Sequence, residues 1–253
     1  MTLKLGELVA ALDVQLRVVD VPDHPNALNG LQVDAGRQAV SKVAVAVDAC
    51  LATIEAAAKS GAEVLIVHHG LFWGGAQPIT GRHGLRLRRL IESGISLYSA
   101  HLPLDLHPEL GNNAILAREL GLTDLTPFGT FEGNRIGFGG AADVTLVELA
   151  NCLTRAVGAT PRVIATGPER VRRVAVVTGG GSSCLKEAVD EGYDTLVTGE
   201  APHHAYFDAE EWQTNLVLGG HYATETIGVK ALGRHIETQF GVPWVFLDHP
   251  TGL

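Results

Sequence analysis

Six side chains of related chemistry stand just past three apolar runs. His68 and His69 follow Val64-Leu65-Ile66-Val67, His101 and Asp105 follow Ile95 to Ser99, and His221 and Glu225 follow Leu216-Val217-Leu218. Short apolar runs rich in β-branched residues suit interior parallel strands, and open α/β sheets gather their chemistry just beyond the carboxyl ends of such strands. Neutral imidazole and carboxylate together form a ligand set for divalent cations. An isolated His-His pair reads by default as the close of a strand, bonded to backbone. Recurrence at three strand ends points instead to metal. Two neighbouring cations take about four to six protein ligands, because other positions stay open to water or substrate and a carboxylate can bridge the pair. Sulfur is missing from the set, which favours zinc, iron or manganese over soft Cu(I).

The elements that must carry these residues are legible in order. Leu5, Leu8, Val9 and Leu12 predict a helix over residues 4 to 12, followed by a loop punctuated by Pro22, Pro25, Gly30 and Gly36. Within that loop Asn29-Gly30-Leu31-Gln32-Val33 predicts a turn into a short strand. A β-α-β pattern follows, with a strand over 43 to 47, a helix from Leu51 ended by Gly61, and the strand 64 to 67. Next come a helix over 82 to 93 closed by Gly94, a strand over 95 to 99, and a helix over 114 to 120 stopped by Gly121. Residues 122 to 140, rich in Gly, Pro, Phe and Thr, read as a crossover between domains 1–125 and 126–253. Thr145-x-x-Glu148 has capping-box spacing and predicts a helix through Val157. A C-terminal helix over 224 to 240 would bring His221 and Glu225 about one turn apart and could pack on the first domain.

The pattern then repeats. Lys42 to Val47 resembles Arg173 to Thr178, and the same register sets Gly61 on Gly192 and His68-His69 on Gly199-Glu200. His101-x-x-x-Asp105 likewise matches His221-x-x-x-Glu225. The fold class expected is α/β: two similar α/β domains related by an internal repeat, their strand ends turned toward a shared cleft.

Other function classes find little support. With 253 residues and an apolar fraction of 46% the chain can bury a substantial core. A net charge of −9 without a basic run gives nucleic acid no electrostatic footprint. Apolar runs fall far short of the roughly 18 residues of a membrane span, and the amino terminus lacks a leader pattern, so a cytoplasmic protein is expected. Cys50, Cys152 and Cys184 are odd in number and far apart, which suits small core residues rather than disulfides or a thiolate zinc site. Thr178-Gly179-Gly180-Gly181-Ser182-Ser183 reads as a tight turn before a helix, with phosphate binding as the alternative; it lacks the lysine of a P-loop. His83, His107, His235 and His249 read as surface residues. There is no Gly-x-Ser-x-Gly elbow and no His-Glu-x-x-His helix.

Together the Val67-His68-His69-Gly70 run, Ser99-Ala100-His101-x-x-x-Asp105, the Thr198-Gly199-Glu200 turn, Gly220-His221-Tyr222-Ala223-Thr224-Glu225 and the early Gly30-Leu31-Gln32-Val33 resemble the Nif-three-like dinuclear metal-centre family. Its members are often called GTP cyclohydrolase 1 type 2 homologues. The resemblance implies metal ligands at His68, His69, Asp105, His221 and Glu225, with Glu225 bridging two divalent cations. It leaves His101 and His204 as proton-transfer or supporting residues, and it implies a homohexameric ring. Where many members have Gly-x-Gly-Arg, this chain departs with Glu132-Gly133-Asn134-Arg135. Two functions fit such a set: a metal-dependent hydrolase acting on a nucleotide or phosphate-containing small molecule, or a non-enzymatic carrier of iron or an assembly protein.

Overall fold

In the computed structural model, which describes residues 3–253, the strand Val64–His69 lies between the parallel strands Val43–Asp48 and Ser96–Ser99. Its first five residues are buried, as an interior parallel strand requires. Trp244–Phe246 extends this sheet parallel to Val43–Asp48, and Gly30–Val33 closes the other edge antiparallel to Ser96–Ser99. Helices Leu51–Ser60 and Gly81–Ser93 join successive parallel strands and end at Gly61 and Gly94, both left-handed at φ 76° and 65°. Leu65, Leu97, Ile54 and Leu90 meet in the core that these helices cover. The ladder runs two residues beyond Val67, so both histidines are held in the sheet, with His69 in register with Asp48.

A second sheet has the same central plan. Arg170–Val177, Thr195–Thr198 and Asn215–Leu218 are parallel, and the short strand Arg162–Ile164 runs antiparallel along the edge beside Asn215–Leu218. The other edge carries a long hairpin, Thr123–Phe131 with Asn134–Thr145. That hairpin corrects the expectation of an irregular crossover over 122 to 140. Its turn has Glu132 and Gly133 at φ 47° and 80°, both in the left-handed region that a tight two-residue connection demands. The glycines that disguise the strand serve close packing: a Cβ on Gly137 would stand 2.3 Å from the Val176 carbonyl oxygen.

The chain divides into two compact units. The first runs to Leu104 and resumes over Val229–His249; the second comprises Asp105–Gly228 and Pro250–Leu253. This division falls upstream of residue 125 because Leu116, Ala117, Leu120 and Leu122 belong to the second unit's core, with Leu149, Val174 and Val197. Asp105 accordingly lies in the second unit and not, as the sequence division had it, in the first. Thr145 caps the helix Leu146–Val157 as its spacing predicts, receiving a hydrogen bond from the Glu148 N–H. The helix expected over 224 to 240 begins at His221 and runs to Phe240, starting in the second unit and ending in the first. There Gly233 leaves room for the Trp244 ring. Among the described residues no helix is long and apolar enough to cross a membrane.

Gly137→Ala should cost ~1–3 kcal/mol, since the new methyl meets a backbone oxygen that cannot rotate away. Gly6→Ala, at a helical position with nothing within 4 Å, should instead gain about 0.5–1 kcal/mol. Urea midpoints check both; equal midpoints for the two variants would show that the hairpin tolerates a side chain at 137.

Candidate metal centre

In the first unit three imidazoles converge. His68 is fully buried, and its Nδ1 lies 2.9 Å from the Ala100 carbonyl oxygen. A carbonyl only accepts, so Nδ1 carries the proton and Nε2 of the neutral ring carries the lone pair. His69 Nδ1 stands 2.9 Å from Asp48 Oδ1, and His101 Nδ1 stands 2.9 and 3.1 Å from the two oxygens of Asp23. Ring centroids are 4.7 Å apart for His68 and His69 and 4.9 Å for His68 and His101. One nitrogen from each of the three rings lies within 4.8 Å of the others, a group that could hold a metal ion.

The loop side of this cluster is built by polar clamps. Gln32 accepts the Leu71 N–H at 2.9 Å and donates to the carbonyls of Ala27 and Leu28. It comes so close that a Cβ on Gly70 would lie 2.2 Å from its Nε2, which explains the glycine directly after the histidine pair. Asn29 Oδ1 accepts the His101 N–H at 2.7 Å while its Nδ2 donates to Asp23. Burial alone would raise the Asp23 pKa, but the hydrogen bond and charge of His101, with donors from Asn29 and the Leu102 N–H, outweigh it and hold the carboxyl below its ordinary value.

In the second unit the carboxyl end of Asn215–Leu218 feeds the helix that opens with His221. Glu225 follows at i+4 on the same face, with Oε1 3.2 Å from His221 Nε2. His221 Nδ1 lies 2.9 Å from Glu200 Oε1. The hydrogen bond with Glu225, reinforced by both carboxylate charges, overcomes the opposing effect of burial and pushes the His221 pKa up to about 9. Glu225 is itself buried, and Gly179, left-handed at φ 61°, curls against it: a Cβ there would stand 2.1 Å from Oε1. The glycine-rich turn thus closes around a carboxylate of its own chain. Asp105 accepts from Asn112 Nδ2 at 2.9 Å, and Asn112 Oδ1 accepts the Gly228 N–H from the His221 helix at 2.6 Å.

His204 is exposed at the start of Ala205–Glu211, and His203 packs edge-on against Phe207. The supporting residues Asp23, Asp48, Asn29 and Asn112 were not singled out from sequence. Only Asp48 carried a legible signal, as a carboxylate at the end of the strand that neighbours His69. Cys184 is buried, which pushes its thiol up to about 11, so no reactive thiolate competes there.

The family model of Duf34/NIF3 (NGG1p interacting factor 3) matches residues 4–251. A Deinococcus radiodurans protein described as a GTP cyclohydrolase 1 type 2 homolog is 45% identical, over 98% of this chain and 94% of its own. A Pyrococcus abyssi protein of the same description is 43% identical over 98% of each. The crystal structure of TTHA1606 from Thermus thermophilus matches with a TM-score of 0.92 at 46% identity, covering 99% of this chain and 100% of that one. Protein ybgI, described as of unknown function, matches at 0.90 and 38% identity, with coverage of 99% and 100%.

The raised His221 pKa makes a prediction for metal-free protein. Its folded value lies above the ordinary 6.5, so protonated His221 stabilises the fold fully below that pH and loses the contribution as pH rises through about 9. His221→Gln should flatten this segment of the stability–pH curve, measured by urea unfolding after chelation. An unchanged slope in the variant would show that the His221 and Glu225 contact does not persist in solution.

Proposed function

Because the chain belongs to the Duf34/NIF3 family, we propose that it is a metal-dependent hydrolase holding two divalent cations, zinc, iron or manganese, through His68, His69, Asp105, His221 and Glu225. One observation carries this reading. Each of His68, His69, His101 and His221 has its Nδ1 engaged by an oxygen acceptor at 2.9 Å, the arrangement by which second partners orient a ligating imidazole and raise its basicity. A histidine that served only to fill space would not need the same ring atom restrained four times. Bound cations would supply an acidified water and polarise a carbonyl, phosphoryl or ring carbon.

The chain's own residues divide the remaining work. Asp48, Glu200 and the Ala100 carbonyl orient His69, His221 and His68. His101 meets the geometric requirement of a ligand, but its acceptor differs in kind: the Asp23 side chain is 5% exposed, against 38% for Asp48 and 51% for Glu200. A buried carboxylate interacts more strongly with a neighbouring imidazolium than an exposed one does. We therefore assign His101 to proton transfer, with Asp23 holding its Nδ1 and fixing the ring's orientation. His204 is a weaker candidate for the same work. The substrate class that fits the relatives' description is a nucleotide or another phosphate-containing small molecule, and the ring implied by the family's resemblance is a homohexamer.

Elemental analysis of reconstituted protein should find two cations per chain, and His221→Ala should lose metal. His101→Ala should retain most of it while losing roughly 10²- to 10⁴-fold in hydrolytic turnover on nucleotides or phosphoesters. Metal loss in His101→Ala equal to that in His221→Ala would make His101 a ligand. Two bound cations with no turnover on any phosphoester or nucleotide would favour the carrier reading instead.

A further inference from the structure

Beside the histidine cluster, in the same unit, lies a cavity of about 450 Å³ whose lining includes Gly70, Trp73, Thr80, Arg82, His83 and Arg86. Its charge is opposite to that of the whole molecule. The chain carries a net −9, yet the lining holds two guanidinium groups and no carboxylate. Neither Arg82 nor Arg86 has an ion pair among the described residues, and Arg86 Nε is buried with no hydrogen-bond partner. Removing a guanidinium N–H from water without giving it an acceptor is unfavourable, so the position calls for an oxyanion. The helix Gly81–Ser93 starts at this wall, and its N-cap Thr80 makes no side-chain cap bond, adding uncapped backbone donors and the positive end of the helix dipole.

Trp73 connects the cavity to the chemistry. Its indole lines the space, its Nε1 is buried without a partner, and its ring meets His101 at 4.8 Å and 85° and His69 at 6.0 Å and 73°. Gly70, another lining residue, follows His69 directly. An anion held by the arginines would therefore sit on a molecule whose other end reaches the imidazoles. Arginine's planar fork suits the paired oxygens of phosphate, and a space of this size takes a small organic molecule as well as its phosphate.

We propose that this cavity is the phosphate subsite of the substrate, a phosphate monoester gripped by Arg82 and Arg86 with the Trp73 N–H as a third donor. This deepens the hydrolase reading and rests on it for the identity of the ligand as substrate. Chelated, metal-free protein isolates the subsite from any phosphate bound to metal. Titration of that protein with inorganic phosphate, followed by calorimetry and tryptophan fluorescence, should saturate. Arg86→Gln should weaken binding at least tenfold and Arg86→Lys less, while Trp73→Phe should abolish the fluorescence change. Arg172→Gln, at an exposed position paired with Asp143, should change nothing. Circular dichroism and retained metal uptake confirm that each variant is folded. Absence of saturation, unaltered affinity in Arg86→Gln, or acetate binding as tightly as phosphate would overturn the proposal. Those outcomes leave the metal stoichiometry untouched, whereas phosphate binding in a chain that takes up no metal would remove the hydrolase reading and leave an anion site.

Discussion

Restraint of the imidazole Nδ1 atoms is the constraint on which the candidate centre depends. A histidine ring can point either nitrogen at a ligand, and only the partner of one nitrogen decides what the other does. For His68 that partner is backbone. Ala100 donates its N–H to the Val67 carbonyl at 2.9 Å, continuing the parallel ladder past Ser99, and the same residue's carbonyl then receives the His68 ring. The tautomer of a fully buried side chain is therefore set by strand pairing. His69 shows the same logic one residue later, since the register that places Asp48 opposite it also places the carboxylate at its ring.

Close approach by glycine is the second requirement. Gly70 admits Gln32, which pins the chain after the histidine pair; Gly179 admits the carboxylate of Glu225. A Cβ on Gly199 would stand 2.6 Å from the Gly179 carbonyl oxygen, which already accepts the N–H groups of Gly199 and Glu200. The turns that carry Gly179 and Glu200 are thus fixed to each other before either side chain is considered. Glycine here lets backbone and carboxylate occupy space that any other residue would fill.

Charge is distributed to match. Carboxylates stand behind imidazoles, where Asp48 and Glu200 remain partly exposed and bear little desolvation, while Asp23 is buried and kept ionised by the donors and the charge around it. Arginines stand apart from these acids, at the cavity beside Trp73. Within the first unit, then, carboxylates stand behind His69 and His101, and the guanidinium groups of Arg82 and Arg86 line the neighbouring cavity.

Local signals in the chain determined much of this. Apolar runs located the strand that ends in His68-His69 and the strands that stop just before His101 and His221; Gly61, Gly94 and the Thr145-Glu148 pair marked helix ends because caps depend on a few neighbouring residues. Imidazole and carboxylate types at those ends were enough to name a candidate set of metal ligands. The Thr123–Thr145 hairpin was misread because Gly129, Gly137, Gly139 and Gly140 look like loop residues until the side chains that press against them are known. The division at Leu104 depended on which core receives Leu116 and Leu120, a question of packing that hydrophobic spacing does not answer. Asp23, 78 residues from His101, could be recognised as its partner only once the fold had brought them together, because a hydrogen bond reports distance in space and leaves no trace in sequence spacing.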